Sequence, residues 1–243
     1  MKKLTWAVLL ITLIIPDPGC RMYSQSIANQ SLKKEKMFAE IEKYVENLQA
    51  EMDKIPSDRK EELQELSTFI SQEMKAGKPV KLTFICTHNS RRSHLGQIWA
   101  GVMARYFGYS QIETYSGGTE ATAMNPRTVS ALERVGFKIQ NPGGSNPKYL
   151  VRFSESASPM TCFSKKYSDP VNPQKGFAAI MTCSDADAAC PVVDGAVFRL
   201  ALPYEDPKKA DNTPAEAQRY DERCRQIAAE MKFVFSQLGK KKS

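Results

Sequence analysis

The chain has 243 residues, 42% of them hydrophobic and 25% charged, the balance of a globular protein with one substantial domain and an appendage. Its net charge of +7 comes in part from Lys2, Lys3 and the tail Lys240–Ser243, and no basic patch with interleaved aromatics accompanies it, so no nucleic-acid partner is expected. No internal repeat is visible, which excludes a solenoid.

At the N-terminus, Lys2-Lys3 precede an apolar run from Leu4 to Ile15 that ends at Pro16-Asp-Pro-Gly. The run is too short to span a bilayer and matches the core of a signal peptide, so residues 1–21 are expected to be a leader and the protein to be exported to the periplasm. Gly19-Cys20 hints at lipid attachment to Cys20, although Asp17 stands where a bacterial lipoprotein signal usually has an aliphatic residue. Membrane contact is expected only through this leader or lipid. Starts at Met22 or Met37 would instead give a cytoplasmic protein.

Residues 22–78 predict a helical extension. Met37, Phe38, Ile41, Tyr44, Val45, Leu48, Met52 and Ile55 recur at three- and four-residue steps, Pro56-Ser57 breaks the pattern, and Leu63, Leu66, Phe69, Ile70 and Met74 resume it before Gly77. Two such stripes form an antiparallel helical pair seeking a partner face.

A catalytic domain is expected over residues 79–243. An apolar run, Val80 to Ile85, predicts a strand, and Leu95, Ile98, Trp99, Val102, Met103 and Tyr106 predict a helix. Between them lies Cys86-Thr-His-Asn-Ser-Arg-Arg92-Ser93. A tight strand-to-helix loop turns backbone N–H groups inward, and the helix adds its positive end, so Thr87, His88, Asn89, Ser90 and Arg91 are expected to cradle an anion. The same field favours the thiolate of Cys86, a nucleophile. Arg92 offers a planar fork to two equatorial oxygens, and Ser93 can donate to the sulfur as it departs.

Further along, a strand is expected from Ile112 to Ser116, and a helix opened by Asn125-Pro126 and stopped by Gly136. An insert at about 141–175 carries two alternating runs, Lys148–Phe153 and Met160–Ser164, which predict a β-hairpin beside the active site. Strands follow at Phe177 to Cys183 and Ala196 to Leu202. The last helix is expected to open with a capping box, Thr213-Pro-Ala-Glu216, and to bury Cys224 on its apolar stripe. The fold class is therefore α/β: a doubly wound parallel sheet with flanking helices, plus the N-terminal helical pair and the hairpin insert.

C-x5-R-S after the first strand, with Asn89 inside it, resembles the low-molecular-weight protein tyrosine phosphatase superfamily. Tyr204-Glu-Asp206-Pro207 is similar to that family's Asp-Pro, which implies that Asp206 is the general acid. His88 and Arg91 depart from the family, which usually has glycine and often cysteine there. Met181-Thr-Cys183-Ser-Asp-Ala-Asp-Ala-Ala-Cys190 resembles the redox pair of the thioredoxin-coupled arsenate reductases within the superfamily. That resemblance implies that Cys86 forms a thiol–arsenate adduct, that Cys183 attacks Cys86 to release arsenite, and that Cys190 then attacks Cys183. The expected partners are an arsenate- or phosphate-type oxyanion and a thioredoxin-like or other thiol donor, with no bound cofactor and no metal. Phosphatase action through a phosphocysteine needs only Cys86, Arg92, Ser93 and Asp206, and is the second reading. The third is a noncatalytic anion or redox sensor. Export and a thioredoxin donor conflict, because disulfides persist in the periplasm while thioredoxin works mainly in a reducing cytosol.

Overall fold

The computed structural model describes residues 36–239. The leader, Cys20, Met22 and the tail from Lys240 lie outside them. In chain order the elements are α1 (Ala39–Glu46), α2 (Gln49–Asp53), α3 (Ser57–Lys75), β1 (Lys81–Cys86), α4 (Arg92–Tyr106), β2 (Glu113–Gly118), α5 (Pro126–Val135), β3 (Lys138–Gln140), β4 (Tyr149–Arg152), β5 (Met160–Cys162), β6 (Phe177–Met181), α6 (Ser184–Ala189), β7 (Ala196–Ala201) and α7 (Glu216–Ser236).

β2-β1-β6-β7 form a four-stranded, wholly parallel sheet, with β1 between β2 and β6. Its central strands β1 and β6 are buried on both faces because both are covered, whereas the edge strands β2 and β7 are partly exposed. Leu82, Phe84, Ala178, Ile180 and Leu200 face the larger core, shared with the N-terminal helices, α4, α5 and α7. Ile85, Phe177, Ala179 and Met181 face a smaller cluster with Ala186 of α6 and Val193. Gly96 of α4 lets that helix settle on β1, since a Cβ there would stand 2.4 Å from the Phe84 ring. Among the described residues no helix is long and apolar enough to cross a membrane.

The expected hairpin forms between β4 and β5, and β3, which the sequence reading did not anticipate, extends it to a three-stranded antiparallel sheet. The first helical stripe is divided into α1 and α2. Leu48 N–H bonds to Val45 O, a tighter i→i+3 turn, yet Leu48 stays fully buried and the stripe keeps its face. Pro56 separates α2 from α3. The extension docks through Tyr44, stacked on Trp99 of α4 at 5.5 Å, and through Phe69, stacked on Phe198 of β7 at 4.6 Å.

Two of the boundaries that differ from expectation have a visible cause. Thr213 does not cap the last helix. It sits in a turn in which its hydroxyl donates to Ala210 O, and the Glu216 carboxylate accepts from Asn212 N–H, so α7 starts at Glu216. β6 ends at Met181, because Cys183 turns out of the sheet to become the N-cap of α6, its sulfur accepting from Ala186 N–H at 3.4 Å.

Candidate active site

The carboxyl edge of a parallel sheet is where strand-to-helix loops converge, and here residues 86–92 link central β1 to α4. The loop's carbonyls are taken up from outside. Cys86 O accepts from Thr119 N–H, Thr87 O from Glu120 N–H, Ser90 O from Asn125 N–H and Arg91 O from Leu95 N–H. His88 O accepts from the Ser164 hydroxyl at 2.9 Å. Because the C=O and the following N–H of a trans peptide point oppositely, carbonyls held outward aim the amides of Thr87, His88, Asn89, Arg91 and Arg92 into the loop. That is an anion cradle at a helix N-terminus.

Cys86 Sγ lies 3.1 Å from Ser93 Oγ. Asn89 Nδ2 donates to the same Ser93 Oγ at 2.8 Å, which leaves the serine proton for the sulfur. Asn89 adopts a left-handed backbone (φ +45°), a conformation asparagine tolerates, and its Oδ1 accepts from Lys165 N–H at 2.9 Å. Arg92 donates to Tyr204 O at 3.0 Å and to Asp206 at 2.7 Å, while its Nε is buried with no partner among the described residues. Cys86 thus pairs with Ser93, and Arg92 with Asp206, at the two ends of the loop's junction with α4. An oxyanion in the cradle must compete with the Asp206 carboxylate for the Arg92 fork. Asp206 also caps the short turn Pro207–Ala210 by accepting from Lys208 N–H.

His88 and Arg91 make separate sets of contacts. His88 is half-exposed, with Glu120 at 3.5 Å. Arg91 is largely buried; its Nε donates to the Tyr220 hydroxyl at 2.8 Å and it pairs with Asp211 at 3.4 Å, while Asp206 stands 3.9 Å off. Its guanidinium thus ties the cradle to α7 and to the far end of the Asp206 turn. Ser90 is occupied by Ala123 O at 2.7 Å.

Cys183 lies against the cradle, its sulfur 3.5 Å from Thr87 Oγ1, and shares a buried cluster with Cys86. Cys190, half-buried, closes α6 at the other end. Cys162 and Cys224 are fully buried elsewhere, and burial pushes both thiols up to about 12. His94, behind the loop, is also fully buried; burial and then the Lys165 charge hold its imidazole down at about 3. Among the described residues no group of three or more His, Cys, Asp or Glu could hold a metal ion.

Sequence reading missed the supports of the cradle. Ser164 and Lys165 come from the insert, which buttresses the loop from the side. Gly118 comes from β2, where any Cβ would stand 2.6 Å from Thr87 O and 2.7 Å from Asn89 N. The Gly117-Gly118 pair was a visible signal of close backbone approach; nothing in the local sequence marked Ser164 or Lys165.

No family model matches the chain. It is 29% identical over 157 residues to an arsenate reductase of Bacillus subtilis strain 168, covering 65% of this chain and 95% of that protein. It is 28% identical to an arsenate reductase of Bacillus licheniformis, over 64% of this chain and 94% of the relative. Among solved structures, it resembles a low-molecular-weight phosphotyrosine phosphatase from Vibrio cholerae O395 at 12% identity, covering 65% of this chain and 95% of that one with a TM-score of 0.44. A C-x5-R-S loop folded at the end of a central parallel strand, together with sequence relatives named arsenate reductase that are matched over nearly their whole length, supports the resemblance to the low-molecular-weight protein tyrosine phosphatase superfamily and an enzyme as the class of protein.

Proposed function

We propose that this protein reduces arsenate to arsenite through a thiol relay. The observation that carries the reading is a second cysteine, Cys183, set against the cradle that holds Cys86. The Cys86 thiolate attacks arsenic, an S–As bond forms, and one As–O bond breaks with Asp206 protonating the departing oxygen. Cys183 thiolate then attacks Cys86 Sγ. The S–S bond forms as S–As breaks, the electron pair stays on arsenic, and arsenite leaves with arsenic reduced from +5 to +3. Cys190 attacks Cys183, returning Cys86 as a thiolate, and an external dithiol of the thioredoxin type reduces the resulting Cys183–Cys190 disulfide.

The last exchange requires α6 to unwind. Cys183 and Cys190 cap opposite ends of a six-residue helix, about 10 Å apart along its axis by helical rise, and a disulfide needs Cα atoms within about 7 Å. Residues 184–189 are all small or polar, so little apolar burial opposes that change. Hydrogen exchange across this segment tests it, and equal protection in reduced and oxidised protein refutes it.

The phosphatase reading stands second because Asp206 already sits at the Arg92 fork, and those residues with Cys86 and Ser93 suffice for a phosphocysteine pathway. Arsenite production with thioredoxin, thioredoxin reductase and NADPH, run beside phosphate release from a phosphotyrosine analogue, separates the two. Cys86→Ser should abolish both activities, and Cys183→Ser and Cys190→Ser only the first. Arsenate turnover retained in either resolving variant refutes the relay; phosphate release without arsenite makes the protein a phosphatase. For the compartment we propose export, with a dedicated thiol donor there; N-terminal sequencing of the natural protein tests it, and an intact start at Met22 or Met37 refutes it.

A further inference from the structure

Arg92 is gripped on one side by a network that begins in the helical extension. Arg59 of α3 donates through Nε at 3.1 Å and Nη2 at 2.8 Å to one oxygen of Glu230, a buried residue of α7. The same oxygen accepts from the Tyr204 hydroxyl at 2.8 Å, and the other accepts from Gln226 Nε2 at 3.0 Å. The Arg59 guanidinium also lies 5.0 Å from the centre of the Tyr204 ring. Tyr204 is thus held at its ring and at its hydroxyl, and its N–H bonds to Thr182 O. Its carbonyl is the acceptor for Arg92 Nη1.

The consequence lies in what happens when an anion arrives. Arg92 has two protein acceptors, Tyr204 O and the Asp206 carboxylate, and Nε has none among the described residues. An oxyanion displaces the carboxylate, so Tyr204 O becomes the one fixed point that orients the fork. A planar guanidinium donates to two oxygens at once only in a narrow range of orientations, so a loose Tyr204 costs anion affinity directly.

We propose that Arg59, through Glu230 and Tyr204, is a positioning residue for the oxyanion-binding Arg92, so that the N-terminal extension sets the affinity of the cradle. The inference rests on the oxyanion reading of the site, though on neither arsenate reduction nor phosphatase turnover. Arg59 also lines a cavity of about 690 Å³ together with Glu62, Gln226 and Glu230, a volume larger than a small guanidinium ion.

The test is orthophosphate binding to the full chain by titration calorimetry, with thermal melts alongside. Tyr204→Phe keeps the ring and the carbonyl and severs only the hydroxyl link. Arg59→Ala opens the guanidinium position to rescue by methylguanidinium. Loss of a charge-assisted bond predicts roughly tenfold weaker phosphate binding in Arg59→Ala and a smaller loss in Tyr204→Phe. Added methylguanidinium should restore affinity to Arg59→Ala and leave the parent unchanged. In turnover the loss should fall on KM more than on kcat. Folded variants that both bind phosphate as the parent does would overturn the proposal. If the parent binds phosphate but reduces no arsenate, the reductase reading fails and this one stands; if the parent binds no phosphate, both fall.

Discussion

At the scale of single residues, the site depends on one hydroxyl with two duties. Ser93 accepts from Asn89 and so has its proton free for Cys86, 3.1 Å away. A hydrogen bond to a charged partner contributes about 1.5–3 kcal/mol, so Ser93→Ala should slow the step in which the Cys86 sulfur departs by roughly ten- to a hundredfold, and should also lower the melting temperature because the buried Asn89 amide loses its acceptor. Single-turnover kinetics check this, and an unchanged rate would remove Ser93 from the chemistry. His94 acts on stability. Its folded-state pKa, about 3, lies below the ordinary value of 6.5, so above pH 6.5 neither state binds the proton and the fold is at full strength. As the pH falls from 6.5 towards 3 the unfolded chain takes up the proton first, and stability drops by about 1.4 kcal/mol per pH unit from this group. Urea unfolding of a His94→Gln variant between pH 7 and 4 should show an acid limb shallower by one proton, whereas an unaltered slope would mean that other groups set the acid sensitivity.

At the scale of elements, the cradle is one loop held in shape by three others, which explains what could and could not be read in advance. Cys86, Asn89, Arg92 and Ser93 lie within eight consecutive residues, and local chemistry alone marked the strand, the loop and the helix around them. Asp206 required the resemblance, since Asp-Pro is otherwise an ordinary turn dipeptide. The supports from Ser164, Lys165 and Tyr204 are contacts between segments distant in sequence, and periodicity is blind to those. Thr213 was misread for the same kind of reason: its capping-box pattern competed with a turn fixed by Ala210 and Asn212. Gly118 supplies the sharpest test of the assembled cradle. A methyl group there would meet three backbone atoms, Glu120 O at 2.2 Å, Thr87 O at 2.6 Å and Asn89 N at 2.7 Å, none of which can swing aside. Gly118→Ala should therefore cost about 1–3 kcal/mol and remove phosphate binding. Gly77→Ala, at a left-handed glycine (φ +67°) with no atom within 4 Å of the added carbon, controls for backbone strain alone and should leave binding intact. Equal affinities in the two variants would show that the cradle tolerates movement of β2.

For the molecule as a whole, the question is whether the helical extension is an accessory or part of the same fold. A continuous buried core runs from Met37, Ile41 and Val45 through Leu63, Leu66 and Ile70 to Trp99, Ile227 and Val234. Polar ties cross the same seam: Ser67 Oγ donates to Val234 O at 3.0 Å, Lys232 Nζ to Val45 O at 2.8 Å, and Arg59 pairs with Glu230. Undocking α1–α3 would expose those apolar side chains and leave Glu230 as a buried carboxylate stripped of its arginine, a combination costing several kcal/mol. The domain's marginal stability would not survive that loss, so extension and sheet should melt together. Trp99 reports on the seam because it stacks on Tyr44 of the extension, while far-UV circular dichroism reports on all helices and strands. In a Trp6→Phe background, which leaves Trp99 as the sole tryptophan, urea titrations followed by the two signals should share one midpoint and one slope. A fluorescence transition at lower urea would show the extension leaving first, and would make the affinity of the cradle adjustable by whatever holds α1–α3 in place.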